Sequence, residues 1–196
     1  MAQLSRLRDF VRDFTRLVER AGGDEARLLE AGRPLLVDLI THDDWLPEEF
    51  ARGEAGRYRQ NLLYCDPFER FSVVSFVWGP GQCTPIHDHT VWGMVGVMRG
   101  EELCEEFVLD EAGRARPAGS HRVCPGQVDL VSPRIGDIHR VSNPQAAGDA
   151  VSIHVYGANI GTLTRHRYEP DSGTQADFVS AYSNVVLPNL WTASGV

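Results

Sequence analysis

The sequence has few cysteines, fewer basic than acidic residues and no long apolar run. Its four cysteines show neither CxxC pairing nor the density of a disulfide scaffold, so we expect reduced thiols and no thiolate metal site. No run of about 18 apolar residues occurs, so we predict no transmembrane helix. Lys and Arg total 19 against 27 Asp and Glu, which gives a net charge of −8. This balance argues against nucleic acid or an anionic membrane surface as a partner, because both require basic patches.

The stretch MAQLSRLRDFVRDF places charge in every turn and lacks the apolar core of a signal peptide, so we expect a cytoplasmic protein. A chain of 196 residues fits one domain with a sizeable core. We predict a single domain over 1–196, made of a helical cap (1–55), a β-barrel core (56–170) and a C-terminal extension (171–196). The sequence leaves open the oligomeric state and whether the extension covers a site.

Apolar residues near the N-terminus recur at three- and four-residue spacing, which indicates one buried helix face. Gly22 and Gly23 end this helix, and Asp24 is a suitable N-cap for a second. Pro34 is expected to interrupt the second helix or to restart it as a third. We expect these helices to form a cap on the main body.

From Tyr58 onward the pattern changes to short β-branched and aromatic runs, separated by turn sequences such as GPGQ, DEAGR and SNPQ. Many short strands with Gly and Pro turns are typical of an all-β sandwich or barrel. We therefore predict a mainly β barrel with an N-terminal helical cap. The predicted strands are 61–65, 71–78, 91–98, 102–109, 128–132 and 150–157.

Three histidines occur in two motif-like clusters. His87 and His89 are two residues apart, a spacing that places both side chains on one face of a strand. His139 follows a turn built on Pro133 and Gly136, which would deliver it at the start of the next strand. The arrangement resembles the signature motifs of the cupin superfamily, G-x5-H-x-H-x3,4-E-x6-G and, more loosely, G-x5-P-x-G-x2-H-x3-N. The resemblance implies a double-stranded β-helix, or jelly-roll, barrel with a metal in its interior.

One departure from the cupin pattern matters most. The glutamate ligand should fall at Gly93 or Met94, and neither residue carries a carboxylate. The metal would then be held by three neutral imidazoles, which suit Fe, Zn, Cu and Ni alike.

Ser152, His154 and Tyr156 also alternate, so on one strand all three face the same side. If that side is the barrel interior, a hydrogen-bond chain can run from serine to histidine to tyrosine and satisfy all three groups.

At this point the sequence resembles the bacterial thiol dioxygenases, the cysteine dioxygenase family in the broad sense. The resemblance rests on PIHDHTVWG (85–93), DIHRVSN (137–143) and SIHVYG (152–157). It implies that His87, His89 and His139 hold Fe(II), with Ser152, His154 and Tyr156 as the outer-sphere triad. It also implies that a thiol and O2 are converted into a sulfinic acid, two steps along the cysteine oxidation ladder.

Two further positions concern the substrate. Animal cysteine dioxygenases carry a carboxylate-binding arginine in a Tyr-x-Arg-Asn stretch, where this chain has Gln60. They also carry a cysteine, near the position of Gly93 and Met94, that crosslinks to the triad tyrosine, and this chain has none there. The glutamine pattern resembles the branch acting on 3-mercaptopropionate, in which a later arginine binds the carboxylate, and Arg165 matches it.

Three alternatives stay open. The chain could be an L-cysteine dioxygenase proper that forms cysteine sulfinate. It could be another cupin enzyme, such as an isomerase or a carbon-substrate dioxygenase that uses Mn, Ni or Zn. It could also be a non-enzymatic cupin that stores or senses a small ligand, which would leave the Ser152–His154–Tyr156 alternation unexplained.

Overall fold

The computed structural model describes residues 4–170 and 173–191. Two helices, α1 (Ser5–Ala21) and α2 (Glu25–Ile40), and a 3₁₀ turn (Glu48–Phe50) come first, and strands make up the regular structure of the remaining described residues. These strands are β1 (Arg59–Cys65), β2 (Ser72–Trp78), β3 (Ile86–His87), β4 (Gly93–Arg99), β5 (Glu102–Leu109), β6 (Ala115–Val123), β7 (Val128–Val131), β8 (His139–Ser142), β9 (Ala150–Tyr156), β10 (Arg165–Tyr168) and β11 (Gln175–Phe178).

The strands form two antiparallel sheets. The first has the order β1-β2-β9-β4-β7, and the second has the order β11-β10-β3-β8-β5-β6. The sheets face each other across an interior cavity lined by residues of both. The predicted mainly β cupin barrel with an N-terminal helical cap is confirmed, and each of the six predicted runs coincides with a strand. The division into cap, core and extension stays a prediction. Among the described residues, no helix is long and apolar enough to cross a membrane.

The first sheet is buried on both faces. Its outer face packs under α1 and α2 through Val73, Val77, Ile153 and Val155. Its inner face turns Val74, Phe76 and Trp78 toward the second sheet. All seven residues of β2 and all seven of β9 are therefore buried. This double burial explains why β2 reads as a nearly continuous apolar run, whereas β9 alternates apolar residues on the helical side with Ser152, His154 and Tyr156 on the inner side.

The predicted break at Pro34 is wrong, because α2 runs through it without interruption. A proline inside a helix removes one backbone hydrogen bond, a cost that tertiary packing can offset. The second half of α2 has such packing, since Leu36 and Ile40 press on β4 at Gly96. A Cβ at Gly96 would lie 2.9 Å from Ile40 Cδ1, so the close approach depends on this glycine.

The C-terminal extension covers one end of the barrel. Its strand β11 pairs with β10, and the segment after it runs beside β1. There the Gln60 N–H donates to Ser183 Oγ at 3.0 Å, and the Leu62 N–H donates to Asn184 Oδ1 at 2.8 Å. The extension also contributes Phe178 to the lining of the cavity.

Candidate metal centre

Three buried histidines converge in the interior. His87 ends β3 and is the register partner of His139, the first residue of β8. The turn before His139 is the one predicted from Pro133 and Gly136, with the Ser132 N–H donating to the Gly136 carbonyl at 2.9 Å. His89 completes the group, and one ring nitrogen from each histidine lies within 4.8 Å of the others. Their spacing suits three ligands of one ion.

In each histidine ring one nitrogen, Nδ1, contacts another protein group. His87 Nδ1 donates to the Pro85 carbonyl at 3.1 Å, and His89 Nδ1 donates to Asp137 Oδ1 at 2.9 Å. His139 Nδ1 lies 3.5 Å from Cys104 Sγ. Such contacts fix the tautomer and direct the second nitrogen of each ring toward a metal.

The donor set fits a metal ion. His89 Nε2 is buried and has no hydrogen-bond partner among the described residues. A buried polar atom of this kind is costly unless something binds it. Burial and the neighbouring imidazoles hold the pKa values of His87 and His139 well below their usual range, so both rings are neutral and their lone pairs are free.

Asp137 positions His89, and sequence reasoning missed it. Both of its oxygens lie 3.1 Å from the His89 N–H, and Oδ2 accepts from the Thr90 N–H at 3.0 Å. Burial alone would raise the pKa of Asp137. The hydrogen bonds from His89 and Thr90 outweigh burial, so the pKa lies below its usual value and the carboxyl group stays ionised. The expectation that His87 and His89 share one strand is wrong, because β3 ends at His87. The Asp137 bonds, rather than strand alternation, bring His89 to the centre.

The surroundings of Gly93 leave little space for a larger side chain beside the Tyr156 ring in its present position. Gly93 is the register partner of Tyr156, and a Cβ on it would lie 2.7 Å from Tyr156 Cδ1. The next residue, Met94, is fully buried on the helical side of the sheet, within contact of Gly32 in α2. The Tyr156 ring occupies the space instead and stacks on His89 at 5.3 Å.

The predicted alternation on β9 brings its three polar residues together. Ser152 Oγ lies 2.7 Å from His154 Nε2, and His154 Nδ1 lies 2.8 Å from the Tyr156 hydroxyl. Phe76 stacks on the His154 ring at 4.1 Å and fixes its plane. Burial lowers the pKa of His154 well below its usual range and raises that of Tyr156. Both groups are therefore neutral, and the tyrosine hydroxyl ends the chain at the cavity wall.

Arg165 and Gln60 line the same cavity as His87 and His139. Ser180, in the C-terminal extension, joins them. Its hydroxyl oxygen accepts from Gln60 Nε2 at 3.1 Å and from Arg165 Nη2 at 2.8 Å. The Arg165 guanidinium also lies over the Phe178 ring at 4.6 Å. Sequence reasoning missed both extension residues, since neither Ser180 nor Phe178 belongs to a motif.

Comparison with known proteins gives the family. The model of the family described as cysteine dioxygenase type I matches residues 41–169. The chain belongs to this family.

Curated members of the cysteine dioxygenase type I family are similar at low identity. Cysteine dioxygenase type 1 of Danio rerio is 29% identical over 119 residues, which cover 58% of this chain and 56% of that protein. The Homo sapiens enzyme of the same name is 26% identical over 165 residues, covering 82% of this chain and 80% of that one. The chain thus spans just over half the length of the first relative and four fifths of the second.

Solved structures with similar folds include a Klebsiella pneumoniae protein with a double-stranded β-helix domain. Its TM-score is 0.44 at 16% identity, over 69% of this chain and 97% of that one. A cupin superfamily protein from Desulfitobacterium hafniense has a TM-score of 0.44 at 13% identity, over 60% and 94% of the two chains.

This member of the cysteine dioxygenase family has a second group of potential ligand atoms, on Cys104, His121 and Asp129. These residues lie on β5, β6 and β7, and His121 is exposed. His121 Nε2 is already 2.6 Å from Asp129 Oδ2. In contrast, the three histidines at the centre are all buried, and one ring nitrogen of His89 has no partner in the part of the chain that the structure describes. The buried group is therefore the stronger candidate metal centre.

Proposed function

We propose that the protein is an Fe(II)-dependent thiol dioxygenase that oxidises a small thiol carboxylate with O2 to the sulfinic acid. In this proposal His87, His89 and His139 hold the iron, with Tyr156, His154 and Ser152 as the catalytic triad. Arg165 and Gln60 bind the substrate. The preferred substrate is 3-mercaptopropionate, with L-cysteine as the alternative. The observation that carries the proposal is a buried arginine with no ion-pair partner among the described residues, beside three buried histidines.

The state of Arg165 favours an anionic substrate. Its side chain is 4% exposed, and none of the ion pairs among the described residues includes it. Its Nε has no hydrogen-bond partner there either. A buried cation that no counter-ion contacts is strongly destabilising. Burial accordingly lowers the pKa of Arg165, while the carboxylates of Asp88 and Asp137 raise it without forming an ion pair with it. A substrate carboxylate would supply the missing charge and accept two hydrogen bonds from the planar guanidinium.

The rest of the cavity wall favours a thiol acid without an amino group. Its lining residues include no Asp or Glu that could accept an ammonium group. The amide of Gln60 is neutral, and its Nε2 is engaged by Ser180. The ammonium group of cysteine would therefore lose its hydration without gaining a carboxylate partner, a loss that 3-mercaptopropionate avoids.

The protein's own groups would orient and shield the reactants. Arg165 fixes the carboxylate and so places the sulfur at the histidine centre, where positioning can contribute several kcal/mol. The Tyr156 hydroxyl offers a hydrogen bond at the same point, and the rings of Phe76, Trp78 and Phe178 exclude water. His87, His89 and His139 would hold the iron, which would supply the redox chemistry for the transfer of both oxygen atoms to sulfur. The balance is R–SH + O2 → R–SO2H, so no external reductant is needed.

Oxygen uptake and metal analysis test the proposal. The Fe(II)-loaded protein is assayed with 3-mercaptopropionate, L-cysteine and cysteamine, and protein purified without added metal is analysed for Fe, Mn, Ni and Zn. We expect iron, and uptake in the order 3-mercaptopropionate, then cysteine, then cysteamine. A tenfold preference for cysteine would remove the substrate assignment but keep the reaction. No uptake with any thiol, or a different resident metal, would instead support another cupin enzyme or a ligand-binding cupin.

A further inference from the structure

One buried acid lies behind the triad and has no role in the mechanism above. Glu102, at the start of β5, is 1% exposed, and neither carboxyl oxygen has a hydrogen-bond partner among the described residues. The neighbouring groups that shift its pKa are the Ser152 hydroxyl and the Trp78 indole, which lower it, and the Asp129 carboxylate, which raises it. Ser152 is the inner end of the chain that reaches Tyr156, so Glu102 faces the end of the chain away from the cavity.

The hydrogen atoms of the Ser152–His154–Tyr156 hydrogen-bond chain have two possible arrangements. If Tyr156 donates to His154 Nδ1, then His154 Nε2 donates to Ser152, and the Ser152 hydroxyl must donate elsewhere. If the Ser152 hydroxyl donates to His154 Nε2 instead, then His154 Nδ1 donates to Tyr156, and the Tyr156 hydroxyl is free to donate into the cavity. A neutral imidazole has one donor and one acceptor nitrogen, so it cannot serve both patterns at once.

The two patterns require different partners at Ser152. Trp78 Nε1 lies 3.4 Å from Ser152 Oγ and can only donate to it. The first pattern therefore needs an acceptor, which an ionised Glu102 provides. The second pattern leaves Ser152 Oγ as an acceptor, which suits both the Trp78 N–H and a protonated Glu102.

We propose that Glu102 is a positioning residue whose carboxyl group sets the direction of the Ser152–His154–Tyr156 chain. When it carries a proton, Tyr156 donates a hydrogen bond into the cavity. When it is ionised, the chain reverses and Tyr156 donates inward. The proposal rests on the proposed function, because the direction matters only if Tyr156 acts on reactants at the histidine centre.

The surroundings of Glu102 favour the protonated form. Burial raises its pKa to about 7, and the carboxylate of Asp129, on β7, raises it too, while Ser152 and Trp78 lower it. The other titratable groups that it affects are the neutral Cys104, on its own strand, and the neutral Tyr156, on β9. No cation acts on it from these elements. The donating state of Tyr156 is therefore expected below neutral pH and lost above it.

The pH dependence of oxygen uptake tests this direction. Wild-type kcat/KM for 3-mercaptopropionate should fall on the alkaline side of a midpoint near pH 7, by up to about tenfold per pH unit for one group. Glu102→Gln carries a permanent N–H donor, so it should stay active and lose this decline. Glu102→Leu offers neither donor nor acceptor and should be several-fold less active without the same midpoint. The matched control is Glu101→Gln, which changes the adjacent surface carboxylate and should keep the wild-type profile.

An alkaline decline that persists unchanged in Glu102→Gln would overturn the proposal. Infrared titration of the carboxyl C=O band gives a second readout that does not depend on turnover or on the variant's activity. The C=O band of a buried protonated carboxyl should appear below pH 7 and be absent in Glu102→Gln. The midpoint of its titration should change in Tyr156→Phe, because the hydrogen-bond chain links the two residues. The absence of that band at pH 6, or a midpoint that ignores Tyr156→Phe, would overturn it as well. If no thiol is oxidised but the coupled band is present, the proposed function fails while the chain direction stands.

Discussion

Replacing Glu102 by glutamine should stabilise the protein at alkaline pH and much less at acidic pH. Burial raises the pKa of Glu102 from 4.5 to about 7. Each tenfold change in acidity constant corresponds to about 1.4 kcal/mol, so ionising this carboxyl in the folded protein costs about 3 kcal/mol. Glutamine keeps nearly the same shape and never ionises, so it removes this cost.

The sign follows from proton binding. Below pH 4.5 the carboxyl is protonated in both the folded and the unfolded chain, and no cost arises. Between pH 4.5 and about 7 the unfolded chain loses the proton while the folded protein keeps it, so stability falls as the pH rises. Above about pH 7 the cost is fully present. The stability gained by Glu102→Gln should therefore grow by roughly 2 kcal/mol between pH 5 and pH 8.

Urea unfolding of metal-free protein measures this difference. Wild type, Glu102→Gln and the control Glu101→Gln are unfolded at pH 5, 6, 7 and 8, and the free energies of unfolding are compared at each pH. Subtracting wild type removes the titration of the empty histidine centre, which all three proteins share. A Glu102→Gln difference that is the same at every pH would refute the reasoning. It would mean that Glu102 is ionised at little cost or that its site opens to water.

Three further predictions concern the centre itself. Arg165→Gln should raise KM for 3-mercaptopropionate by about 30-fold, or about 2 kcal/mol, because the substrate carboxylate loses its buried partner. The same variant should hardly change KM for cysteamine, which has no carboxylate. An equal rise in KM for both thiols would contradict the role of Arg165. Asp137→Asn should weaken iron binding by about 10- to 100-fold in a chelator competition, since His89 loses its orienting carboxylate; unchanged affinity would argue against this. Gly93→Ala should lower the free energy of unfolding by about 1–3 kcal/mol, because the new Cβ meets the Tyr156 ring. It should also lower oxygen uptake. A variant with wild-type stability and uptake would show that the ring can move aside.

The strands that could be predicted are those whose burial leaves a mark in the sequence. β2 and β9 are covered on both faces, so every residue is buried and both segments are rich in β-branched and aromatic residues. β6 was not predicted, because it is an edge strand that pairs with β5 and exposes the seven residues between Ala115 and Val123. Such a polar segment has no hydrophobic period, and only its register with β5 makes it a strand. The two-residue β3 is too short to carry any period.

The residues of the candidate site likewise fall into those that could be predicted from the sequence and those that could not. The spacing of His87, His89 and His139 could be found in the sequence because their motifs are local. Asp137, Ser180 and Glu102 could not, because each acts on a residue that is distant in the chain. Asp137 reaches His89 across 48 positions, and Ser180 reaches Gln60 across 120. Glu102 is one of two successive glutamates, and only the structure distinguishes the buried one from its surface neighbour.

The missing carboxylate and the unpaired arginine are two parts of one charge pattern. In the proposed enzyme, three neutral imidazoles leave the positive charge of Fe(II) uncompensated, because Gly93 has no room for a carboxylate beside Tyr156. Arg165 adds a second cation at the same cavity, whose lining residues include no Asp or Glu. A thiolate and a carboxylate on one small molecule would balance both positive centres, whereas cysteamine would bring an ammonium group to a site that already has an excess of positive charge. In the proposed enzyme, the charge of the cavity therefore favours the two negative groups of a thiol acid, and this specificity should weaken as soon as Arg165 is neutralised.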